Sequence, residues 1–482
     1  MPRDTSETRR LEKRTTKADS GHVVVIIPRG EVIRNFEYSG ALERIAAGAE
    51  LSLLSVSTTS EIDAHLERKY ANLESLEEHT EPWIVRIQRD LLDIAHGRWL
   101  WSKASIERWR LRDAECVTPT QKLKRIGKKT IASAVAHKPG LSLLAKSERF
   151  TSRLLSSRNG YQDFYRRTKP TLVFNGSHIH SRNAIHAVQS AQWLGIPTAT
   201  FIFSWDNLTS QGRIMLPYDY FLVWNQSLKD QLLEMYDWIR PENVFVTGTP
   251  QFDFHFREEF HVSREEFCAS VGADPKRPIV FYATGMSNHM PGEPEIVEAI
   301  ADILLEAEES VRPQLLVRIY PKDQTGRFDE LKERRKDILF PKVEWEPEWL
   351  TPKFEDSYAL VNTLRHCSLG INVASTVSLE LCMFDKPVIN VGYNPPSVPA
   401  GEMSYAKYYE FDHYKPVVDS GAVRVAWSEG EMRDLIFESL ENPAKASAER
   451  RNLIQEMFGD LLDGKSSLRV ANTLLHLATR SI

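Results

Sequence analysis

Three polar clusters in this sequence stand where a short apolar run gives way to a helix-like pattern, and each carries side chains suited to holding an anion or moving a proton. The densest is Asn372-Val373-Ala374-Ser375-Thr376-Val377-Ser378-Leu379-Glu380. Ser375 and Thr376 mark a helix start, where a hydroxyl can cap the helix or donate to a diphosphate. Glu380 follows Thr376 by one helical turn on the same face, and a carboxylate there can accept hydrogen bonds from ribose hydroxyls. The second cluster is Ser204-Trp205-Asp206-Asn207-Leu208-Thr209-Ser210-Gln211-Gly212-Arg213, just beyond an apolar run. Asp206 is its candidate general base, with a capping or Asx-turn aspartate as the competing account, and Trp205 and Asn207 lie beside it. The third, Asn175-Gly176-Ser177-His178-Ile179-His180, offers two histidines as an alternative base or as acceptor contacts. No further ligand stands near enough to make them a metal site.

Smaller signals surround these. Gly285-Met286-Ser287 follows an apolar run, so that Gly285 permits close backbone approach and Ser287 can donate to an oxygen. Arg318 and Lys322 lie at the end of another run, where a charge needs a reason: neutralising a pyrophosphate, or a structural ion pair. Arg29 follows the first apolar run, and His413 sits in the aromatic stretch 405–414. The P-loop-like pattern at 459–466 follows a helical rather than a strand pattern, which argues for the cap of a last helix.

The elements that must position these groups alternate regularly. Apolar runs at 23–27, 51–56, 171–174, 198–203, 220–224 and 244–246 are interleaved with amphipathic patterns at 39–49 and 182–194. A second series runs through strands 279–282, 315–319, 369–373 and 388–391, with helices at 295–309, 359–366 and 376–384. This is the rhythm of parallel sheets with crossover helices, so the expected class is α/β with two doubly wound Rossmann-like domains facing a cleft. The boundaries predicted are a disordered tail at 1–20, an N-terminal acceptor-side domain at 21–255 with a helical basic insertion at about 61–168, a linker at 256–276, a C-terminal nucleotide-sugar domain at 277–455 and a C-terminal helix at 456–482.

The chain has 482 residues, 42% hydrophobic and 26% charged, enough for two or three cored domains. No apolar stretch approaches the roughly 20 residues of a membrane span, and no secretory pattern opens the sequence, so a cytoplasmic protein is expected. Cys116, Cys268, Cys367 and Cys382 form no CxxC pair, which speaks against a disulfide framework. The formal net charge of −5 conceals an asymmetry: residues 103–170 hold 17 Lys or Arg against 5 Asp or Glu. With its tryptophans, this stretch suggests either an anionic membrane surface or lipid-linked acceptor, or a basic face packed on the acidic remainder. No nucleic-acid recognition motif accompanies it.

The chain resembles the GT-B superfamily of glycosyltransferases over about 22–58 and 170–480. Gly195-Ile196-Pro197 followed by a strand and a polar loop, and Val246-Thr247-Gly248-Thr249-Pro250, look like the N-terminal domain of nucleotide-sugar 2-epimerases and related transferases. Ser375, Thr376 and Glu380 match the phosphate and ribose positions of the C-terminal domain in outline. Arg318 through Lys322 resembles the basic strand end of glycerophosphate and capsule-polymer transferases. Ser204-Trp205-Asp206-Asn207 stands where the epimerases carry a differently composed acidic loop. The resemblance implies an enzyme that moves a sugar from a nucleoside-diphosphate donor to a hydroxyl acceptor, sugar or lipid-linked, with inversion, no metal and no cofactor. It also implies 2-epimerisation, glycerophosphate transfer from a cytidine donor, or donor binding without turnover as alternatives.

Overall fold

The computed structural model describes residues 21–56, 61–77, 79–156, 160–179, 182–346, 348–399 and 404–480. The expected tail at 1–20 and His180 lie outside them. The chain divides into two compact units: Met1–Asp253 with Glu346–Thr351 and Leu461–Ile482, and Phe254–Trp345 with Pro352–Asp460.

The first unit is built on β1 (His22–Ile27), whose Val-Val-Val-Ile-Ile run is buried throughout, as a parallel strand covered on both faces requires. Helix α1 (Ala41–Gly48) returns the chain to β2 (Glu50–Ser55), and α2 (Glu61–Lys69) returns it to β3 (Leu73–Ser75). These last two elements correct the expected start of the insertion, because β3 pairs in parallel with β2 and so belongs to the sheet. At three residues, two of them exposed, this edge strand is too short and polar to read as one in sequence. The helical insertion runs from α3 (Trp83–Leu100) through α4 (Lys103–Ala114), α5 (Pro119–Ala134), α6 (Lys138–Ser156) and α7 (Tyr161–Thr168). The sheet resumes with β4 (Leu172–Asn175), α8 (Arg182–Trp193), β5 (Thr198–Phe201), β6 (Tyr220–Val223) and β7 (Val244–Val246). Its order is β3-β2-β1-β4-β5-β6-β7, parallel at every pairing.

The second unit carries β8 (Ile279–Ala283), α9 (Glu293–Leu305), β9 (Gln314–Arg318), β10 (Ile338–Leu339), α10 (Phe354–His366), β11 (Leu369–Asn372), α11 (Thr376–Met383), β12 (Val388–Val391) and β13 (Arg424–Ala426). Its parallel order is β10-β9-β8-β11-β12-β13. Residues 256–276, expected as a linker, are instead a folded part of this unit. A capping box between Ser263 and Glu266 starts a helix at Arg264–Val271, and Phe260, Phe267 and Cys268 anchor the stretch by burial.

The last helix, α12 (Ser466–Thr479), belongs to the first unit, where Val470, Ala471, Leu474, Leu477 and Ala478 are fully buried. Its own Lys465 supplies no side-chain cap. The cap comes from the buried Asp253, whose carboxylate accepts the Ser466 N–H at 2.9 Å and the Ser467 N–H at 2.8 Å. The P-loop-like stretch therefore leads into a last helix, as expected, but the cap expected from that stretch comes instead from the distant Asp253. Asp253→Ala leaves these two buried donors without an acceptor and is expected to lower the unfolding free energy by about 1–3 kcal/mol in urea titrations. Asp253→Asn, which keeps an acceptor oxygen, costs less.

Candidate functional site

In each sheet the strand order reverses once: between β1 and β4 in the first unit, and between β8 and β11 in the second. Open parallel sheets bind ligands outside the carboxyl ends of the strands at such reversals. Gly285 and Ser375 follow the two strands of the second reversal; Arg29 and His178 follow those of the first.

At the second reversal the chain leaves β11 through Ala374, which takes a left-handed φ of +41°. That conformation costs a residue with a Cβ on the order of 1 kcal/mol, and here it turns Ser375 back toward the strand end. The Ser375 N–H donates to Asn372 Oδ1 at 3.1 Å, and Ser375 Oγ accepts the Val377 N–H at 3.3 Å. Ser375 is thus the cap of α11. Residues 374–377, including Thr376, are all partly exposed, so this helix start is reachable. Glu380 is buried one turn further on, with Oε1 3.2 Å from His255 Nε2.

A polar hub beneath this turn fixes it. Asn372 Oδ1 also accepts from Ser378 Oγ at 3.0 Å and from Asn390 Nδ2 at 3.1 Å. Tyr414 Oη donates to this group through Ser378 Oγ or Asn390 Oδ1, each at 2.8 Å. All four residues are fully buried. None was singled out from sequence as a positioning group, although Asn372 and Asn390 sit in otherwise apolar strands, where a buried amide needs a partner.

The Gly285 loop is held by Glu293, at the first position of α9. The Gly285 N–H lies 3.0 Å from both Glu293 carboxylate oxygens, Tyr282 Oη donates at 3.0 Å and Arg327 Nη2 donates at 2.8 Å. Arg327 also reaches the Gly285 carbonyl at 2.9 Å and Asp323 at 2.5 Å. A side chain at Gly285 would collide with Met290 Sδ. Ser287 projects from this clamped loop, partly exposed. Burial raises the Glu293 carboxyl to about 7, against the opposing pull of Arg327.

Arg318 proves to be an ion-paired residue. Its Nη2 lies 2.9 and 2.8 Å from the two oxygens of the buried Asp356, which also accepts from Trp345 Nε1 at 2.6 Å. Its charge is therefore largely neutralised, which removes the reason to assign it to a pyrophosphate. Lys322 is partly exposed, 5.8 Å above the Tyr320 ring. His413 is partly exposed beside Phe411 at 5.8 Å, whereas Tyr405, Tyr408, Tyr409 and Tyr414 of the same stretch are buried.

In the first unit, Arg29 pairs with Glu31 at 2.6 Å. Asn175, which opens the third cluster and counts with it on the acceptor side, is instead fully buried and donates to Tyr218 Oη at 2.7 Å, so it ties β4 to the segment before β6. His178 is buried, with Nδ1 3.2 Å from the Phe201 carbonyl and 3.3 Å from the Phe203 nitrogen, so either tautomer finds a backbone partner there. Asp206 accepts from Ser204 Oγ and Ser210 Oγ, one on each carboxylate oxygen and both at 2.5 Å. It makes no helix-capping bond. Trp205 and Asn207 are buried beside it, and Asn207 Oδ1 accepts the Ser204 N–H at 2.9 Å.

The insertion holds this loop. Ser102 Oγ donates to the Thr209 carbonyl at 3.1 Å, and Gly212 lies so close to Asp93 that a side chain would overlap its carboxylate. Arg213 lies over the Tyr236 ring at 5.3 Å, and His96 stacks on the same ring at 5.9 Å. Burial first, then Arg213 and Arg108, push His96 down to about 3, so it is a neutral packing group. Among the described residues no group of three His, Cys, Asp or Glu is arranged to hold a metal ion, and no helix is long and apolar enough to cross a membrane.

No family model matches the sequence, and no curated protein matches it. In three dimensions it is similar to S. aureus MnaA solved with UDP, at 12% identity and a TM-score of 0.52 over 94% of this chain and 95% of that one. It is similar to the UDP-GlcNAc 2-epimerase of Neisseria meningitidis bound to UDP-GlcNAc, at 12% identity and a TM-score of 0.50 over 94% of this chain and 99% of that one. The UDP-GlcNAc 2-epimerase of Methanocaldococcus jannaschii gives 13% identity and a TM-score of 0.50 over the same shares, 94% and 99%. The two parallel sheets and these likenesses define the fold as GT-B.

The Glu293 clamp has a pH signature. Its folded pKa of about 7 lies above the ordinary 4.5, so its contribution to stability is fully present below 4.5 and is lost as pH rises to about 7. Glu293→Gln removes that descending component. The variant-minus-wild-type difference in melting temperature is expected to shift in the variant's favour across this window, then to level off.

Proposed function

We propose that the second unit binds a nucleoside-diphosphate sugar at the carboxyl ends of β8 and β11, and that the protein transfers the sugar to a hydroxyl acceptor without a metal ion. The observation that carries this reading is the partly exposed helix start at Ser375–Thr376, with the carboxylate of Glu380 one turn on, at the strand-order reversal of the sheet. A helix N-terminus favours a diphosphate through its N–H groups and dipole. Thr376 and Ser287 are the hydroxyls for phosphate oxygens, Lys322 the cation, and Glu380, oriented by His255, the acceptor for ribose hydroxyls. The solved structures of similar fold that hold UDP or UDP-GlcNAc make uridine nucleotides the first donors to test.

Asp206 is the proposed base. Ser204, Ser210 and, at 3.4 Å, Asn207 Nδ2 orient the carboxylate, and Oδ2, with the single donor Ser210, is the oxygen offered to an acceptor hydroxyl. The acceptor proton passes to Asp206 as the acceptor oxygen attacks the anomeric carbon. The bond from that carbon to the diphosphate breaks, and the bonding pair leaves with the nucleoside diphosphate. His178, with its backbone partners, is the weaker candidate. Epimerisation at sugar C2 is the second reading, favoured by the activity named for the structures of similar fold.

Thermal-shift titration with UDP, UDP-GlcNAc and CDP-glycerol tests donor binding. At least one is expected to stabilise the protein, and Glu380→Ala to weaken that binding roughly tenfold, the scale of one lost charge-assisted hydrogen bond. Asp206→Asn is expected to lower turnover by about 100-fold or more with donor binding retained. UDP release that requires an acceptor identifies transfer. A C2 epimer appearing by NMR without acceptor identifies the second reading, and no response to any nucleotide sinks both.

A further inference from the structure

Two helices of the insertion are turned with their apolar sides outward. On α5 the cationic side faces the protein: Arg125 and Lys129 reach Asp113 at 2.8 and 2.7 Å, and Lys128 reaches Asp90 at 2.7 Å. Leu123, Ile126 and Ile131 are left in solvent. On α6, Leu141, Glu148 and Ser152 are buried, whereas Leu143, Phe150 and Leu154 point outward at spacings that share one helical face. Leu123, Leu143, Phe150 and Leu154 are 69–72% exposed. One such residue would need no explanation, but several on two consecutive helices of one subdomain do. The α6 stripe continues onto α3, because Gln88 Nε2 bonds Ser147 Oγ at 3.0 Å and Thr151 Oγ1 at 3.3 Å beside the exposed Trp83, Ile84 and Ile87.

The charge around the stripes has one sign. Helices α5 and α6 carry nine Lys or Arg and one carboxylate, Glu148, which is buried and bound to Arg89 at 2.7 Å. Lys122 and Lys124 flank the α5 stripe, and Lys146 and Arg153 flank that of α6, all exposed. An outward face of aliphatic side chains and cations, with no anion, matches the boundary between acyl chains and anionic headgroups. A second copy would set cation against cation. Single-stranded nucleic acid would call for a run of stacking rings, whereas the exposed apolar side chains of this face are mainly aliphatic, with Phe150 on α6 and Trp83 on α3 as its rings.

We infer that this face docks on an anionic lipid surface, with Leu123, Ile126, Leu143, Phe150 and Leu154 at the acyl boundary and Lys122, Lys124, Lys146 and Arg153 against the headgroups. The inference stands apart from the nucleotide-sugar reading, and its test does not use activity. In flotation assays the full chain is mixed with vesicles of phosphatidylcholine, with or without phosphatidylglycerol. It is expected to float with the anionic vesicles, to lose that binding as salt rises, and to partition at least roughly tenfold less when Leu123, Leu143, Phe150 and Leu154 are changed to Ser. Replacing Lys122, Lys124, Lys146 and Arg153 with Glu is expected to abolish the preference for phosphatidylglycerol. Because all eight side chains are exposed, circular dichroism of both variants should match the parent. Failure to float on anionic vesicles at low salt, equal flotation of the serine variant, or self-association in sedimentation that the serine changes remove would each overturn the proposal.

Discussion

One oxygen atom governs the candidate site of the second unit. Asn372 Oδ1 accepts from the Ser375 backbone, from Ser378 on α11 and from Asn390 on β12, so a single acceptor joins a strand end, a helix start and the neighbouring strand. Helix starts usually owe their position to apolar packing, which tolerates small shifts. Three directional bonds to one buried atom do not, because displacing α11 would stretch or bend them all at a buried acceptor that water does not reach. The left-handed Ala374 is the local strain this arrangement sustains. A helix start held this stiffly presents its N–H groups in a fixed direction, and such preorganisation is what an anion site requires.

The Gly285 loop is fixed in a different way. A buried carboxylate, Glu293, and a partly exposed guanidinium, Arg327, close on the loop backbone from opposite ends. Further hydrogen bonds, Tyr282 to the acid and Asp323 to the guanidinium, offset part of the desolvation cost, although burial still outweighs them and raises the acid. In the first unit a third solution appears. The Ser204–Arg213 loop has little regular structure of its own and is held from outside by the helical insertion, through Ser102, Asp93 and the ring stack of His96 on Tyr236. The insertion is then more than an appendage: it immobilises the loop that carries Asp206.

What could be read from sequence follows from how each feature is encoded. The two parallel sheets were legible because buried parallel strands are runs such as Val23–Ile27, and the reading of Ser375, Thr376 and Glu380 as a helix-start cluster rested on local spacing. The short edge strand at 73–75 and the folded stretch at 256–276 were hidden because pairing and a few aromatic anchors make them, not periodicity. Arg318 was ambiguous for a related reason. A charge at a strand end shows that a partner exists, but Asp356 lies on a helix far along the chain. The clamp of Glu293 and Arg327 and the hub at Asn372 escaped altogether, since both depend on residues distant in sequence meeting in the folded unit.

The same distinction explains how a chain about 12% identical to other proteins can share their fold. Parallel strands and their crossover helices ask only for apolar side chains of fitting volume at regular intervals, a demand that very many sequences meet. Such a core fixes the architecture and says nothing of chemistry. Specificity has to reside in the few positions where the pattern is broken: an asparagine in a buried strand, a glutamate within an apolar helix, a left-handed alanine before a cap. In the second unit these irregularities gather at the strand-order reversal, around Asn372, Ala374 and Glu380 and across from Glu293. Their concentration at the carboxyl end of the central strands of one sheet, rather than their number, is the physical ground for proposing a ligand site there.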